Sequence, residues 1–185
     1  MEGIIINSLD FPVLTVTTFL PLAGALLILL IRNDVLIKWI ALVTTVATFI
    51  VSLPIYTHFD KTTYKMQFAE IHPWIPAWNI NYTVGVDGIS VLFIILVTIL
   101  STLCVSVSWK AIQEKTKEFF ISLLIMETAM IGVFVSLNIF LFYLFWELTL
   151  IPMFLLIGIW GGSNRIYATI KFVLFTLAGS VLMLV

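Results

Sequence analysis

Charge is what this sequence has least of. Only 10% of its 185 residues are Asp, Glu, Lys or Arg, against about a quarter in a typical soluble domain. So few charges cannot cover a water-facing surface. The nine basic residues form no patch, which argues against a nucleic-acid partner. A single cysteine, Cys104, excludes an internal disulfide and an iron–sulfur cluster, and its apolar run suggests a small buried side chain. The two histidines, His58 and His72, lack metal-ligand spacing and offer no pair for haem. No Gly-rich phosphate loop is present. A cofactor in this chain is therefore not expected.

What fills the sequence instead is apolar. Hydrophobic residues make up 62% of it, and the mean hydropathy is +1.18. Six hydrophobic segments can be drawn, at Phe11–Ile31, Val35–Tyr56, Val84–Trp109, Phe119–Leu137, Ile139–Trp160 and Ile166–Val185. Each is long enough to cross a bilayer as a helix, and lipid leaves helix as the economical choice for the backbone. The expected fold class is an all-α integral membrane protein with six transmembrane helices. Residues 1–109 would hold three helices and an external loop at 57–83, and residues 110–185 helices four to six. The first segment does not read as a cleaved signal peptide, because it lacks a basic leader and has only Glu2 and Asp10 as near charges. Pro21 is expected to bend it. Asp87 reads as the cap that starts the third helix.

Basic residues set the expected orientation. Arg32, Lys38, Lys110, Lys115, Lys117, Arg165 and Lys171 belong to the first, third and fifth connections with their helix ends, leaving Lys61 and Lys65 in the second. The positive-inside rule then puts the odd connections in the cytoplasm and the N-terminus outside. Trp39, Trp109 and Trp160, with Trp74 and Trp78 at the opposite side, fit interfacial belts.

The few charges inside the apolar segments are the candidates for chemistry. Glu147 has no charged neighbour for about eight residues on either side, and a carboxyl at that depth is costly by several kcal/mol. Helices four and five share a short turn at Asn138. Glu127 lies 11 residues before it and Glu147 nine after, which places both carboxyls within roughly 3 Å of one depth. Desolvated carboxyls suit proton transfer, although either could instead serve as a neutral hydrogen-bonding group between helices. Tyr143, one turn before Glu147 on the same face, could bond the carboxyl or simply pack, and the carbonyl freed by Pro152 could hold a water beside it or merely mark a kink. Lys171, near the start of helix six, either snorkels to the surface or faces inward as a proton carrier.

Several stretches resemble the antiporter-like membrane subunits of proton-pumping NADH-quinone oxidoreductase, complex I. Val84-Gly85-Val86-Asp87-Gly88-Ile89-Ser90 is similar to the start of their third helix. Gly132 and the runs Phe145-Trp146-Glu147 and Gly158-Ile159-Trp160-Gly161-Gly162 resemble their fifth-helix signature, and Arg165–Phe172 and Leu177–Ser180 continue it. Leu148–Met153 is more similar to the subunit M (chain 4) branch than to L or N. Where relatives often carry Asp, this chain has Asn138.

The resemblance implies that Glu147 is the key protonatable residue, paired in the family with a lysine on a broken seventh helix. It also implies that Glu127 and Lys171 are further proton-transfer positions. NADH, FMN, iron–sulfur clusters and quinone are implied in partner subunits, with other membrane subunits and the lipid bilayer as partners and the bacterial inner membrane as location. The family has about fourteen helices built around two inverted repeats. The chain is expected to hold the leading helices and part of the first repeat, and not to pump alone. The same motifs fit an Mrp-type cation/proton antiporter subunit or the membrane subunit of an energy-conserving hydrogenase. A purely structural membrane subunit or inert fragment is the alternative of another class.

Overall fold

The computed structural model describes residues 4–6, 11–76 and 80–184. Glu2, Asp10, Trp78 and Val185, which figure in the sequence reading, lie outside the described residues. Six helices are present: α1 (Val13–Leu29), α2 (Asp34–Thr57), α3 (Gly88–Ala111), α4 (Thr116–Val135), α5 (Ile139–Trp160) and α6 (Arg165–Leu184). All but α1 are long and apolar enough to cross a membrane, and α1 is an apolar helix of 17 residues. Pro21, Pro54 and Pro152 lie inside α1, α2 and α5, each of which continues through its proline.

Helix starts follow local capping chemistry. Asn33 accepts the N–H groups of Val35 and Leu36, Asp87 that of Ser90 at 2.7 Å, and Asn138 that of Phe140 at 2.9 Å. The Asp87 cap anticipated from sequence is thus present. The third segment begins later than its hydropathy suggests, because Val84–Val86 is strand and α3 starts only at Gly88.

The segment between α2 and α3 is not an open loop. Two strands form there, β2 (Met66–Ile75) and β3 (Ile80–Val86), and β1 (Ile4–Ile6), which precedes α1, joins them in the order β1-β2-β3. β1 runs parallel to β2, and β2 and β3 are antiparallel. The helical bundle therefore carries a small sheet that hydropathy alone does not reveal. Its strands lack the strict alternation of a half-buried sheet: Gln67, Phe68, Ala69 and Glu70 are all buried. A bulge between Gln67 and Glu70, with Phe68 at φ 54°, breaks the pleat and turns this run inward. Buried Gln67 closes the approach to β2 by bonding both the N–H and the carbonyl of Asp60.

Contacts define the two ends of the bundle. At one end the sheet grips helix termini. Glu70 accepts the N–H groups of Leu14 and Thr15 at the start of α1, Leu137 N–H donates to the Thr83 carbonyl at 3.0 Å, and Asn138 Nδ2 donates to the Asn81 carbonyl. At the other end, cations sit on helix C-termini. Lys117 Nζ donates to the Leu29 carbonyl that ends α1, Lys38 Nζ to the Trp109 carbonyl in α3, and Arg165 to the Ile159 carbonyl in α5. Trp39 stacks edge-on against Trp109, and Trp160 donates to the Glu114 carbonyl. The basic residues that suggest orientation are thus also electrostatic caps for the negative ends of three dipoles.

Two apolar clusters fill the bundle. One lies nearer the sheet and gathers Val13, Ile55, Val84, Ile94, Ile131 and Phe145; the other gathers Ala25, Ile37, Val105, Phe120 and Leu124. Close helix approaches rest on two glycines. A Cβ on Gly24 of α1 would meet Thr44 of α2, and one on Gly132 of α4 would overlap the ring of Phe145 on α5. Cys104 is exposed rather than buried. It lines a groove with Thr45 of α2 and with Leu123 and Met126 of α4.

Candidate functional site

α4 and α5 form the antiparallel pair expected from their short turn. The seating of Phe145 on Gly132 fixes their register. In that register Glu127 is level with Leu150, three residues from Glu147, an axial offset of roughly 4–5 Å. The carboxyls are near in depth but turned apart.

Glu127 is fully buried. Phe120, Leu124, Ile131 and Val135 share its face of α4, so the carboxyl lies between the two apolar clusters. Neither of its oxygens has a hydrogen-bond partner among the described residues, and neither does the hydroxyl of Thr128. Several other buried hydroxyls satisfy themselves: those of Thr17, Thr18, Thr48 and Thr98 donate to carbonyls of their own helices. Glu127 stands out from them as an acid that binds no neighbouring helix.

Glu147 faces the other way, toward α6. It is partly exposed and lines a cavity of 530 Å³ between α5 and α6, walled by Leu144, Ile151, Phe154, Val173 and Leu177. The hydroxyl of Ser180, on α6, donates to Glu147 Oε1 at 2.5 Å. Tyr143, one turn earlier on α5, interacts with both groups. Ser180 was not singled out by the sequence, because 33 residues separate it from Glu147 and only the packing of α6 on α5 joins them.

Lys171 is exposed, with its Nζ 5.7 Å from the ring centroid of Tyr167. It points away from the face of α6 that carries Thr169, Val173 and Ser180 toward α5. The structure therefore joins Glu147 to Ser180 and Tyr143, but not to Lys171 or Glu127. Among the described residues, no three His, Cys, Asp or Glu side chains converge as metal ligands.

Residues 136–185, from the α4–α5 turn through α6, match the family described as NADH:quinone oxidoreductase/Mrp antiporter, transmembrane. NADH-quinone oxidoreductase subunit M of Rhodobacter capsulatus is 49% identical over 178 residues, 93% of this chain and 34% of that protein. The chain belongs to the antiporter-like subunit M family. The chain is also similar to NADH-ubiquinone oxidoreductase chain 4 of Arabidopsis thaliana, at 44% identity over 89% of this chain and 34% of that protein. Respiratory complex I from Thermus thermophilus contains a chain with the same fold, at TM-score 0.78 and 28% identity, covering 92% of this chain and 34% of that one. An Mrp complex from Dietzia shares the fold at TM-score 0.73 and 17% identity, covering 93% and 18%. The chain thus spans about a third of the length of the subunit M relatives it matches.

Proposed function

We propose that this chain is part of a proton-translocating membrane subunit of an NADH-quinone oxidoreductase, and that Glu147 is its principal proton-carrying group. The observation that carries this reading is the setting of Glu147. It is an acid in an apolar helix, open to a cavity at the α5–α6 interface and held by the Ser180 hydroxyl. A group in that position has room to receive a proton and a partner that fixes its orientation. The Rhodobacter relative, named as subunit M, supports the assignment to this complex. NADH oxidation and quinone reduction would take place in partner subunits that hold FMN, the iron–sulfur clusters and quinone. This chain would contribute proton movement within the membrane, beside other membrane subunits of the same complex.

Glu127 is proposed as a second proton-transfer group and Lys171 as a third. Among the described residues Glu127 has no hydrogen-bond partner to explain its burial. Lys171 stands on a face of α6 open to whatever packs there. The sheet and the N-terminus are proposed to face outside and the Lys/Arg-rich end the cytoplasm, in a multi-pass protein of the bacterial inner membrane.

A cation/proton antiporter subunit is the second reading, since the matched family takes its description from both kinds of protein. The 49% identity to a quinone-reductase subunit, against 17% to the Mrp complex, favours the first. The test is Glu147→Gln in the assembled complex. Assembly should persist while NADH-driven proton pumping is lost; pumping at the normal rate overturns the proposal.

A further inference from the structure

Ser180 is nearly fully buried, and its hydroxyl stands between two acceptors. It lies 2.5 Å from Glu147 Oε1 and 3.0 Å from the carbonyl oxygen of Leu177, three residues back on α6. The two threonine hydroxyls of α6 bond the ordinary carbonyl one turn back: Thr169 bonds Arg165, and Thr176 bonds Phe172. Ser180 alone among these three also faces a carboxyl group.

A serine hydroxyl has one hydrogen and two lone pairs. It cannot donate fully to both acceptors at once. When Glu147 is ionised, the hydrogen points to the carboxylate and makes a charge-assisted bond. When Glu147 carries its proton on Oε1, the oxygen that faces Ser180, that O–H becomes a donor, and two donors cannot point at each other. The serine hydrogen then turns to the Leu177 carbonyl, and Ser180 Oγ accepts the hydrogen of the carboxylic acid. Only rotation about the Cβ–Oγ bond is needed, so no heavy atom has to move.

We infer that Ser180 is a positioning residue that holds Glu147 in one place through both of its protonation states, its hydroxyl hydrogen switching between Glu147 and the Leu177 carbonyl. This rests on Glu147 being the proton-carrying group. A partner that only donates could not accept the hydrogen of the neutral acid, and an apolar residue would bond neither form. Tyr143 also bonds Glu147 and Ser180, but it rides on the same helix as Glu147 and so cannot fix the carboxyl against α6. The α6 wall at Val173 and Leu177 is apolar, Lys171 is on another face of α6, and Glu127 of α4 is turned into the bundle. From β3, Tyr82 is engaged with Thr15.

The test compares Ser180→Ala, Ser180→Thr and Glu147→Gln in the assembled complex in membranes. The infrared C=O stretch of protonated Glu147 is identified by its loss in Glu147→Gln. Ser180→Ala is expected to move that band to higher frequency, because the acid loses its acceptor, and to slow proton pumping about tenfold, the effect of one lost hydrogen bond. Ser180→Thr, which keeps the hydroxyl, should restore both. Alanine is a good helix former, so α6 itself is not weakened by the change. If Glu147→Gln is inactive while the band and rate stay unmoved in Ser180→Ala, this inference is overturned alone. Normal pumping in Glu147→Gln removes the proton-carrying reading, and this inference with it.

Discussion

The carboxylate of Glu70 on β2 accepts the backbone N–H of Leu14, 56 residues earlier in the chain, at 3.0 Å, and so caps α1. Its second oxygen takes the N–H and the hydroxyl of Thr15. Because the single hydrogen of Thr15 goes to Glu70, the Tyr82 hydroxyl is the donor in its 3.1 Å contact with Thr15. Burial, the larger effect, and nearby Glu70 push the Tyr82 phenol above its ordinary value, which keeps that hydrogen in place. Residue Pro12, at the cap position of α1, has no side-chain bond to offer, so the sheet supplies the cap from a distance.

Removal of Glu70 should therefore weaken the whole sheet-to-bundle junction. Glu70→Ala leaves buried N–H groups of Leu14 and Thr15 unpaired and is expected to lower stability by about 2–3 kcal/mol. Glu70→Gln, which retains an acceptor oxygen, should lose less. Thermal unfolding of the purified complex in detergent measures both, and equal Tm values for wild type and Glu70→Ala would refute the capping role.

Asp87 gives a pH dependence of known sign. The Ser90 N–H holds its carboxyl below the ordinary value of 3.8. A group depressed on folding stabilises the fold above its unfolded value, here from about pH 4 upward, and that stabilisation is lost as pH falls through the lower folded value. Asp87→Asn keeps an acceptor but cannot titrate. The Tm difference between wild type and this variant should change only below about pH 4. At neutral pH, Asp87→Ala should lose about 1 kcal/mol.

Gly132 has no room for a side chain, because the Phe145 ring lies where a Cβ would be. Gly132→Ala must push α5 from α4 or rotate Phe145, which packs in the larger apolar cluster. The expected loss is about 1–3 kcal/mol. Phe145→Leu in the same chain should recover part of it, as a double-mutant comparison of unfolding would register.

Glu127 separates a structural acid from a functional one. A carboxyl that tied helices together would be missed when replaced. With both oxygens unpartnered, Glu127→Met is instead expected to leave stability unchanged or to raise it by about 1–3 kcal/mol. Under the proposed function the same substitution lowers proton pumping. A fall in stability with pumping intact would favour the purely structural reading.

The sequence by itself determined the class of this protein, because lipid permits few backbone solutions and a chain this poor in charge has no other solvent. It also determined where most helices lie, the pairing of α4 with α5 across a short turn, the Asp87 cap, and the family, since each depends on neighbouring residues or on motifs. Asn138 shows the limit of such reading. Its oxygen caps α5 while its amide nitrogen donates to the Asn81 carbonyl, a bond that an ionised Asp at this position has no hydrogen to make.

Only the tertiary structure decided the rest. A bulge at Phe68 aims Glu70 at α1, against the alternation by which strands are read. Lys117 and Lys38 seek carbonyls 88 and 71 residues away. Two carboxyls of nearly equal depth are turned to opposite sides by the rotation of two helices about their axes. That rotation is fixed by packing, Phe145 on Gly132 above all, and not by spacing. It gives Glu147 the Ser180 hydroxyl and leaves Glu127 alone in the interior.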